Sequence, residues 1–304
     1  MNAPTAVLPT KPATPERILY RLDWRVIRRL DGLLQGDYRT LFYGTGIDFA
    51  DLREYQAQDD IRHIDWNVTA RMNSPYVRQY VEDRDITAWF LLDRSASMGF
   101  GPVERPKELV LTDFVATLAR LLTRSGNRVG AILYNNRIEH MIPPRSSRNQ
   151  VLRLIRELLQ KSEKPTGMTT DLNELLYAGL NTLKRRSLVF VISDFISEPG
   201  WERPLSLLNR RHELIAIRLW DPHEVELPDA GMIVLEDSET GEYLTVDTSN
   251  PTFRRRFQEA AQRREAALKA NLKQAGVDLF AVSTEEDLVS AIVRMAALRK
   301  KRRK

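Results

Sequence analysis

The sequence contains no cysteine and only 4 histidines among its 304 residues. The absence of cysteine excludes disulfide bonds, thiolate zinc sites, iron–sulfur clusters and a cysteine nucleophile, and it fits a reducing compartment. No hydrophobic run approaches the roughly 18 residues of a membrane span, and the first residues lack the charged and apolar regions of a signal peptide. We therefore expect a soluble, cytoplasmic protein without a transmembrane segment.

Charge is distributed unevenly along the chain. The net charge is +5, yet the residues from 251 onward carry 14 Lys and Arg against 6 Asp and Glu. Residues 299–304 are all basic, and we interpret them as a solvated tail because blocks of like charge usually stay disordered. The alternative is a nucleic-acid-binding protein that uses this C-terminus. We do not expect nucleic acid as a partner, since the aromatic residues cluster before residue 84, away from the basic end.

The N-terminal third of the chain divides into two parts. Residues 1–13 contain three prolines among small residues and predict a flexible leader. Thr14 as N-cap and Pro15 at the first helical position then predict a helix that Gly36 ends. After this helix the chain is dense in arginine, aspartate and aromatic residues, which predicts short strands and ordered loops. We expect residues 14–85 to pack on a larger domain.

From residue 86 onward the sequence alternates between strand and helix patterns. Strands of this length separated by helices indicate crossover connections and a parallel sheet covered on both faces. The fold class is therefore α/β, a doubly wound, mainly parallel sheet over residues 86–298, with a β-hairpin inserted at 227–248. The predicted strands are 86–92, 128–134, 187–193, 213–220 and 277–282, and the predicted helices are 104–124, 148–160, 172–184, 253–274 and 285–299.

Polar residues follow the predicted strands at positions where such sheets bind ligands. In an open α/β sheet, ligands bind beyond the carboxyl ends of the strands. Asp93, Ser95 and Ser97 follow the first strand, Asp194 follows a later one, and Thr170 precedes a helix. All of these side chains offer oxygen, which suits Mg²⁺ and also Mn²⁺ or Ca²⁺. The sequence thus predicts a metal site built from Asp93, Ser95, Ser97, Thr170 and Asp194.

The predicted ligands differ in role. Ser95 and Ser97 are direct ligands, and Thr170 binds directly or through water, with Thr169 as its substitute if the loop register differs by one. Asp93 and Asp194 hold the ion through water. Because the hydroxyl ligands are neutral, the ion keeps charge that attracts an acidic ligand from a partner. The alternative is that the serines cap the next helix and the aspartate ends a strand.

This set of residues resembles the metal-ion-dependent adhesion site of von Willebrand factor type A domains. Farther upstream, the segments 36–39, 44–49 and 52–55, and above all 59–67 with Ala70 and Arg71, are similar to the signature of the bacterial family called domain of unknown function 58. The resemblance implies a type A domain preceded by the signature segment. This sequence departs from the two patterns at one position each. Type A domains usually have glycine where Met168 stands, and the family often has glycine where Gln58 stands.

The resemblance also implies a function. Genes of this family tend to lie beside one for a MoxR-type AAA+ ATPase, which implies a metal-dependent adaptor or substrate-recognition partner acting in complex assembly, metal insertion or stress response. Its expected partners are that ATPase and an acidic client protein. Many relatives carry transmembrane helices, a feature that this sequence lacks.

The signature segment has two interpretations from its residues. Its charged side chains form a partly buried ion-pair network that docks on the sheet, with Trp66 as an apolar anchor. In the alternative, the same residues form a binding face for the partner. His63 has no helical histidine partner four residues away and is a poor candidate for a metal ligand. The candidate residues are Arg53, Asp59, Asp60, Arg62, Asp65, Trp66 and Arg71.

The sequence favours a binding module over an enzyme. It contains no G-x-x-x-x-G-K-[ST] loop, so any nucleotide hydrolysis belongs to a partner. No G-x-S-x-G motif surrounds Ser95 or Ser97, which speaks against a serine hydrolase. A Mg-dependent phosphohydrolase with Asp93 as nucleophile would resemble the haloacid dehalogenases, which carry a second aspartate where Ser95 stands. We therefore expect no enzymatic activity.

Overall fold

The fold is a six-stranded sheet with helices on both faces, seen in a computed structural model. The structure describes residues 14–34, 52–56, 59, 61, 64, 66–72, 74–78, 86–102, 104–161, 169–237 and 241–302. Its strands are β1 Leu52–Glu54, β2 Tyr76–Arg78, β3 Thr87–Asp93, β4 Arg128–Tyr134, β5 Ile138–Arg145, β6 Leu188–Ser193, β7 Glu213–Trp220, β8 Met232–Glu236, β9 Tyr243–Asp247 and β10 Asp278–Ser283.

The helices cover both faces of this sheet and extend from the N-terminal segment to the C-terminal end. A π-helical turn at Asp23–Ile27 separates the first two, so the single helix predicted to continue to Gly36 is interrupted, and Gly36 itself lies outside the described residues. The helices are α1 Pro15–Leu22, α2 Arg28–Leu34, α3 Trp66–Met72, α4 Lys107–Arg124, α5 Arg148–Leu159, α6 Leu172–Thr182, α7 Glu202–Arg211, α8 Pro251–Gln274 and α9 Leu288–Arg302.

The strand order of the main sheet is β10-β7-β6-β3-β4-β5. All neighbours are parallel except β4 and β5, which form an antiparallel pair. This arrangement confirms the doubly wound, mainly parallel sheet predicted from the sequence. Strands β3 and β6 are neighbours in space but not in sequence, so the strand order reverses between them. In such sheets this switch point is where ligands bind.

Alternate side chains of β3 point to opposite faces of the sheet, and helices cover both faces. Ala88, Phe90 and Leu92 belong to a core cluster with α1, α2, α4, α5 and α9. Trp89 and Leu91 belong to a second cluster on the opposite face with α6, α7 and α8. A strand covered by helices on both sides has no solvated face, which is why its sequence is apolar throughout.

The N-terminal helices are attached to α4 by ion pairs as well as by apolar packing. Asp23 and Asp31 accept hydrogen bonds from Arg120 and Arg124, each at 3.0 Å. Leu19 and Leu30 are fully buried in the first core cluster. This segment therefore forms part of the same packed layer as α4.

Two elements of the main domain are absent from the sequence prediction, and one prediction at the C-terminus is wrong. Strand β5 and helix α7 were not predicted. The solvated tail was placed at 299–304, but α9 continues to Arg302, and the side chain of Arg299 is 7% exposed and paired with Glu213. The stem of Arg299 packs against the domain while its guanidinium contacts the first residue of β7. No helix among the described residues is both long and apolar enough to cross a membrane.

Candidate metal centre at the switch point

Asp93 ends β3 at the switch point, and its carboxylate is fully buried. Its Oδ1 accepts a hydrogen bond from the Ser95 amide at 2.9 Å, and its Oδ2 accepts one from the Ser193 hydroxyl at 2.6 Å. Ser193 is the last residue of β6, so the second of these bonds joins the ends of the two central strands. The carboxylate is therefore held in one orientation by both of its oxygens.

The surroundings of Asp93 disfavour its negative charge. Burial and the nearby charge of Asp194 raise the pKa of Asp93 to about 6, although hydrogen bonds from Ser193 and Ser95 act in the opposite direction. A cation bound beside these two carboxylates would offset that cost. The electrostatics at this end of the sheet thus suit a bound cation.

Ser95 and Ser97 lie directly beyond Asp93, and their hydroxyl oxygens are 3.1 Å apart. Both side chains are buried. The turn Ala96–Gly99 that follows receives no side-chain cap from Ser95, and Lys107 begins the next helix ten residues after Ser97, so the capping alternative is not supported. Adjacent ligands of an octahedral Mg²⁺ ion lie about 3 Å apart, given bond lengths near 2.1 Å. The pair therefore fits two direct ligands.

Thr170 is buried beside the loop that follows β6, whereas the side chain of Thr169 is exposed. The Thr170 carbonyl accepts hydrogen bonds from the Ser197 hydroxyl at 3.1 Å and from the Glu198 amide at 2.9 Å. The next residue, Asp171, caps α6 through a 2.9 Å bond to the Asn173 amide. The structure thus joins the threonine loop to the loop that contains Asp194, and burial favours Thr170 over its neighbour.

Asp194 follows β6 and has a cationic neighbour that the sequence prediction missed. Its Oδ1 accepts the Ile196 amide at 3.0 Å, and its Oδ2 accepts the ammonium of Lys107 at 2.7 Å. Lys107 is fully buried and also donates to Glu224. Burial lowers the pKa of Lys107, but the charges of Asp194 and Glu224 more than offset this and raise it, so the ammonium stays charged.

The sequence prediction missed both Lys107 and Glu224, although the sequence contains a signal for Glu224. Glu224 lies four residues after the end of β7, in the turn Pro222–Glu224, and so obeys the same rule that identified Asp93 and Asp194. Lys107 begins α4 directly after Pro106, and nothing in its local pattern shows that its side chain turns inward.

Arg94 lies between Asp93 and Ser95, and its side chain attaches this loop to neighbouring parts of the fold. Its guanidinium is buried and donates to backbone carbonyls at the C-terminal end of α5 and to two carboxylates. A cation at a helix C-terminus also interacts favourably with the helix dipole. Its acceptors are the carbonyls of Glu157, Leu158 and Gln160 and the carboxylates of Glu108 and Glu139.

The atoms at the switch point that could bind a metal ion are hydroxyl and carboxylate oxygens. Within the described part of the chain, no three or more side chains of histidine, cysteine, aspartate or glutamate gather as a metal site. The candidate centre therefore depends on serine and threonine, with Asp93 and Asp194 beside them. Such a donor set fits a hard divalent cation and does not fit zinc or copper.

The signature segment is described only in part, and one of its predicted roles is wrong. Trp66 is 68% exposed, so it is not an apolar anchor on the sheet. Asp59 accepts a hydrogen bond from the Gln56 amide at 2.9 Å, and the side chain of Arg71 is exposed. Among the described residues, neither core cluster includes a residue of the short helix that Trp66 begins. The following predicted residues lie outside the described part: Asp60, Arg62, Asp65, His63 and the side chain of Arg53.

The sheet order, with one antiparallel edge strand, is that of a doubly wound α/β domain of the von Willebrand factor type A kind, a fold typical of protein-interaction modules. The family model described as "Protein of unknown function DUF58" matches residues 51–267, and the chain belongs to this family. An uncharacterized protein of Mycobacterium tuberculosis is 35% identical over 93% of this chain and 89% of its own length. One of Mycobacterium avium is 33% identical over 53% of this chain and 94% of its own.

Solved structures similar to this chain include two bacterial proteins of low sequence identity. An aerotolerance-related membrane protein from Bacteroides fragilis is 14% identical, with a TM-score of 0.49, over 71% of this chain and 99% of that chain. The vWF domain of the type V pili tip protein Mfa5 from Porphyromonas gingivalis is 12% identical, with a TM-score of 0.38, over 71% and 95%. The fold assignment rests on the sheet order rather than on these similarities.

Proposed function

We propose that the protein is a non-enzymatic, divalent-metal-dependent protein-binding module with Mg²⁺ as its cofactor. The observation that carries this proposal is the 3.1 Å approach of the buried Ser95 and Ser97 hydroxyls beside the carboxylate of Asp93. When bound there, a divalent ion supplies a coordination position for a carboxylate of another protein. Mn²⁺ and Ca²⁺ accept the same oxygen ligands and are alternatives.

The chain's own residues prepare the site for such an ion. Asp93 is oriented by bonds to the Ser95 amide and the Ser193 hydroxyl, so it does not rearrange when a cation arrives. The hydroxyls of Ser95, Ser97 and Thr170 bring no negative charge of their own. A site with few anionic ligands leaves the cation incompletely neutralised, which favours an acidic partner.

The same geometry favours binding over catalysis. Both oxygens of Asp93 accept hydrogen bonds from the protein, which suits a positioning role and not a nucleophile that must reach a phosphorus atom. Divalent-metal-dependent phosphatase turnover that disappears in Asp93→Ala would contradict this part of the proposal and restore the phosphohydrolase alternative.

For the partners, we propose a MoxR-type AAA+ ATPase and an acidic client, as the family resemblance implies. The signature segment has three exposed apolar side chains that are not part of the metal centre: Ile61, Trp66 and Met72 are 65%, 68% and 57% exposed. Exposed aromatic and methionine side chains are enriched in protein interfaces, so this surface supports the partner-binding interpretation of the segment. One protein can then contact the ATPase through the signature segment and the client through the metal centre.

The proposal is tested by affinity capture from the native host with wild type, Asp93→Ala and Asp229→Ala, each with Mg²⁺ or chelator. Asp229 is an exposed carboxylate whose only described ion-pair partner is Arg254, so its variant controls for loss of a charge. The bound proteins are identified by mass spectrometry, and circular dichroism confirms that each variant is folded.

We expect an acidic client to be recovered with wild type and Asp229→Ala in Mg²⁺ only, whereas an AAA+ ATPase that binds the signature segment should be recovered in every sample. Asp93→Ala should lose the client in both conditions because it lacks the carboxylate at the end of β3. An identical set of partners in all samples, with Asp93→Ala folded, would show that partner binding does not depend on the metal.

A further inference from the structure

Lys107 is a fully buried lysine whose charge lies beside the candidate metal centre. It begins α4, and its ammonium is shared between Asp194, at 2.7 Å, and Glu224. The centroid of the Phe100 ring lies 5.8 Å from the same nitrogen, which is within the range of a cation–π contact. A lysine is almost never fully buried unless it is paired, so the two carboxylates explain its position.

The two carboxylates belong to different parts of the fold. Asp194 lies at the switch point and directs its other oxygen to the Ile196 amide, so the ammonium occupies the oxygen that its own loop leaves open. Glu224 lies in the turn Pro222–Glu224 after β7, and its second oxygen accepts the Asp221 amide at 3.1 Å. Lys107 therefore connects the metal centre to the next loop along the sheet edge.

A divalent ion and this ammonium require the same negative charge. Ser95, Ser97 and Thr170 are neutral, so the negative charge of the centre comes from Asp93 and Asp194. Lys107 cancels the charge of one of them. Two cations inside a buried site repel each other more strongly than they would in water.

We propose that Lys107 is an internal cation that competes with the divalent ion for Asp194, so that metal binding moves the ammonium towards Glu224. This inference rests on the proposed metal-dependent function and adds its regulation. The free protein holds the ion weakly, and loading the site changes the contact between α4 and the turn Pro222–Glu224. A partner that binds this turn or Glu224 thereby changes the metal affinity, because the two equilibria share one lysine.

The test is isothermal titration of Mg²⁺ into wild type, Lys107→Met, Glu224→Gln and the double variant. Methionine keeps the length of the side chain without its charge, and glutamine keeps the capping oxygen of Glu224. Lys273→Met is the matched control, because Lys273 is an exposed lysine in the last turn of α8. Thermal unfolding in chelator and in Mg²⁺ provides a second readout for each protein.

We expect Lys107→Met to bind Mg²⁺ at least tenfold more tightly than wild type. Glu224→Gln should bind at least threefold more weakly, since the displaced ammonium has lost its second carboxylate. The double variant removes one charge of each sign, and we expect it to bind at least tenfold more tightly than Glu224→Gln even if Lys107→Met alone does not fold. In chelator, Lys107→Met should unfold at a lower temperature, and Mg²⁺ should recover most of the loss.

The outcomes separate this inference from the proposed function. Equal affinities in wild type and Lys107→Met, or an unchanged affinity in Glu224→Gln, would overturn the competition while leaving the metal site in place. Binding by Lys107→Met but not by wild type would support the competition and contradict metal dependence of the native protein. Absence of binding in every protein would overturn both.

Discussion

Replacing Asp93 by asparagine should stabilise the metal-free protein at neutral pH. The pKa of this buried carboxyl is about 6 against an ordinary 3.8, because burial and Asp194 disfavour its charge. At roughly 1.4 kcal/mol per pKa unit, holding the charged form at pH 7 costs the folded state about 3 kcal/mol. Asparagine still accepts the Ser95 amide, but its NH₂ group replaces the oxygen that accepts the Ser193 hydroxyl, and loss of this acceptor costs about 1 kcal/mol. We therefore expect a net gain of about 2 kcal/mol.

The pH dependence of this gain has a definite sign. A carboxyl whose folded pKa is raised keeps its proton in the folded protein at pH values where the unfolded chain has lost it. The wild type is therefore fully stabilised by this group below about pH 4, and it loses that stability as the pH rises to about 6 and above. The advantage of Asp93→Asn should vanish as the pH falls through this window and reverse near pH 4.

The measurement is urea denaturation of both proteins in chelator between pH 4 and pH 8. Asp229→Asn provides the control, since this exposed carboxylate should change stability by less than about 0.5 kcal/mol. Added Mg²⁺ should stabilise wild type and leave Asp93→Asn unchanged. If Asp93→Asn is less stable than wild type by about 1 kcal/mol or more at pH 7.5, the charge of Asp93 is not a cost to the fold.

Three further substitutions, two of them with a control variant, test the contacts of Arg94, the packing of β4 against β5 and the choice of threonine ligand. Arg94→Met leaves two carboxylates and the end of α5 without their buried donor, and should cost about 3 kcal/mol in denaturation experiments; a loss below about 1 kcal/mol would contradict that role. Gly130→Ala places a methyl group 2.9 Å from a backbone oxygen of β5 and should lower the free energy of unfolding by about 1–3 kcal/mol. Its control is Gly32→Ala, where the added methyl group meets open space and should cause no loss. Thr170→Val should weaken Mg²⁺ binding in calorimetry about tenfold, and Thr169→Val should not, because only the first side chain is buried; the opposite order would reassign the ligand.

The parallel part of the sheet, and the gathering of the candidate residues at one of its edges, could be predicted because both depend on local patterns. A strand buried on two faces is apolar along its whole length, and Asp93 and Asp194 each follow such a strand directly. Since parallel strands end at a common edge, these two residues were expected to lie close together. The structure has Ser193 bonded to Asp93 across the two central strands, one residue before Asp194.

Other elements depend on contacts that a local pattern does not contain. Strand β5 includes His140, Pro143 and Pro144, and only one of its eight residues is buried, because it is an antiparallel edge strand. It therefore lacks the apolar run of its neighbours. Helix α7 contains four charged residues and only one turn of apolar side chains on its buried face. Lys107 was missed for a related reason: its inward direction is set by Asp194 and Glu224, which lie 87 and 117 residues away.

The most direct test of the metal centre is titration of Mg²⁺ into wild type and into the variant Ser95→Ala/Ser97→Ala, followed by calorimetry. The double variant removes the two hydroxyls that lie 3.1 Å apart and leaves both carboxylates in place. We predict one binding site in wild type and an affinity at least tenfold lower in the variant, with both proteins folded. Equal affinities, or no binding by wild type, would contradict a serine-based metal centre at the switch point.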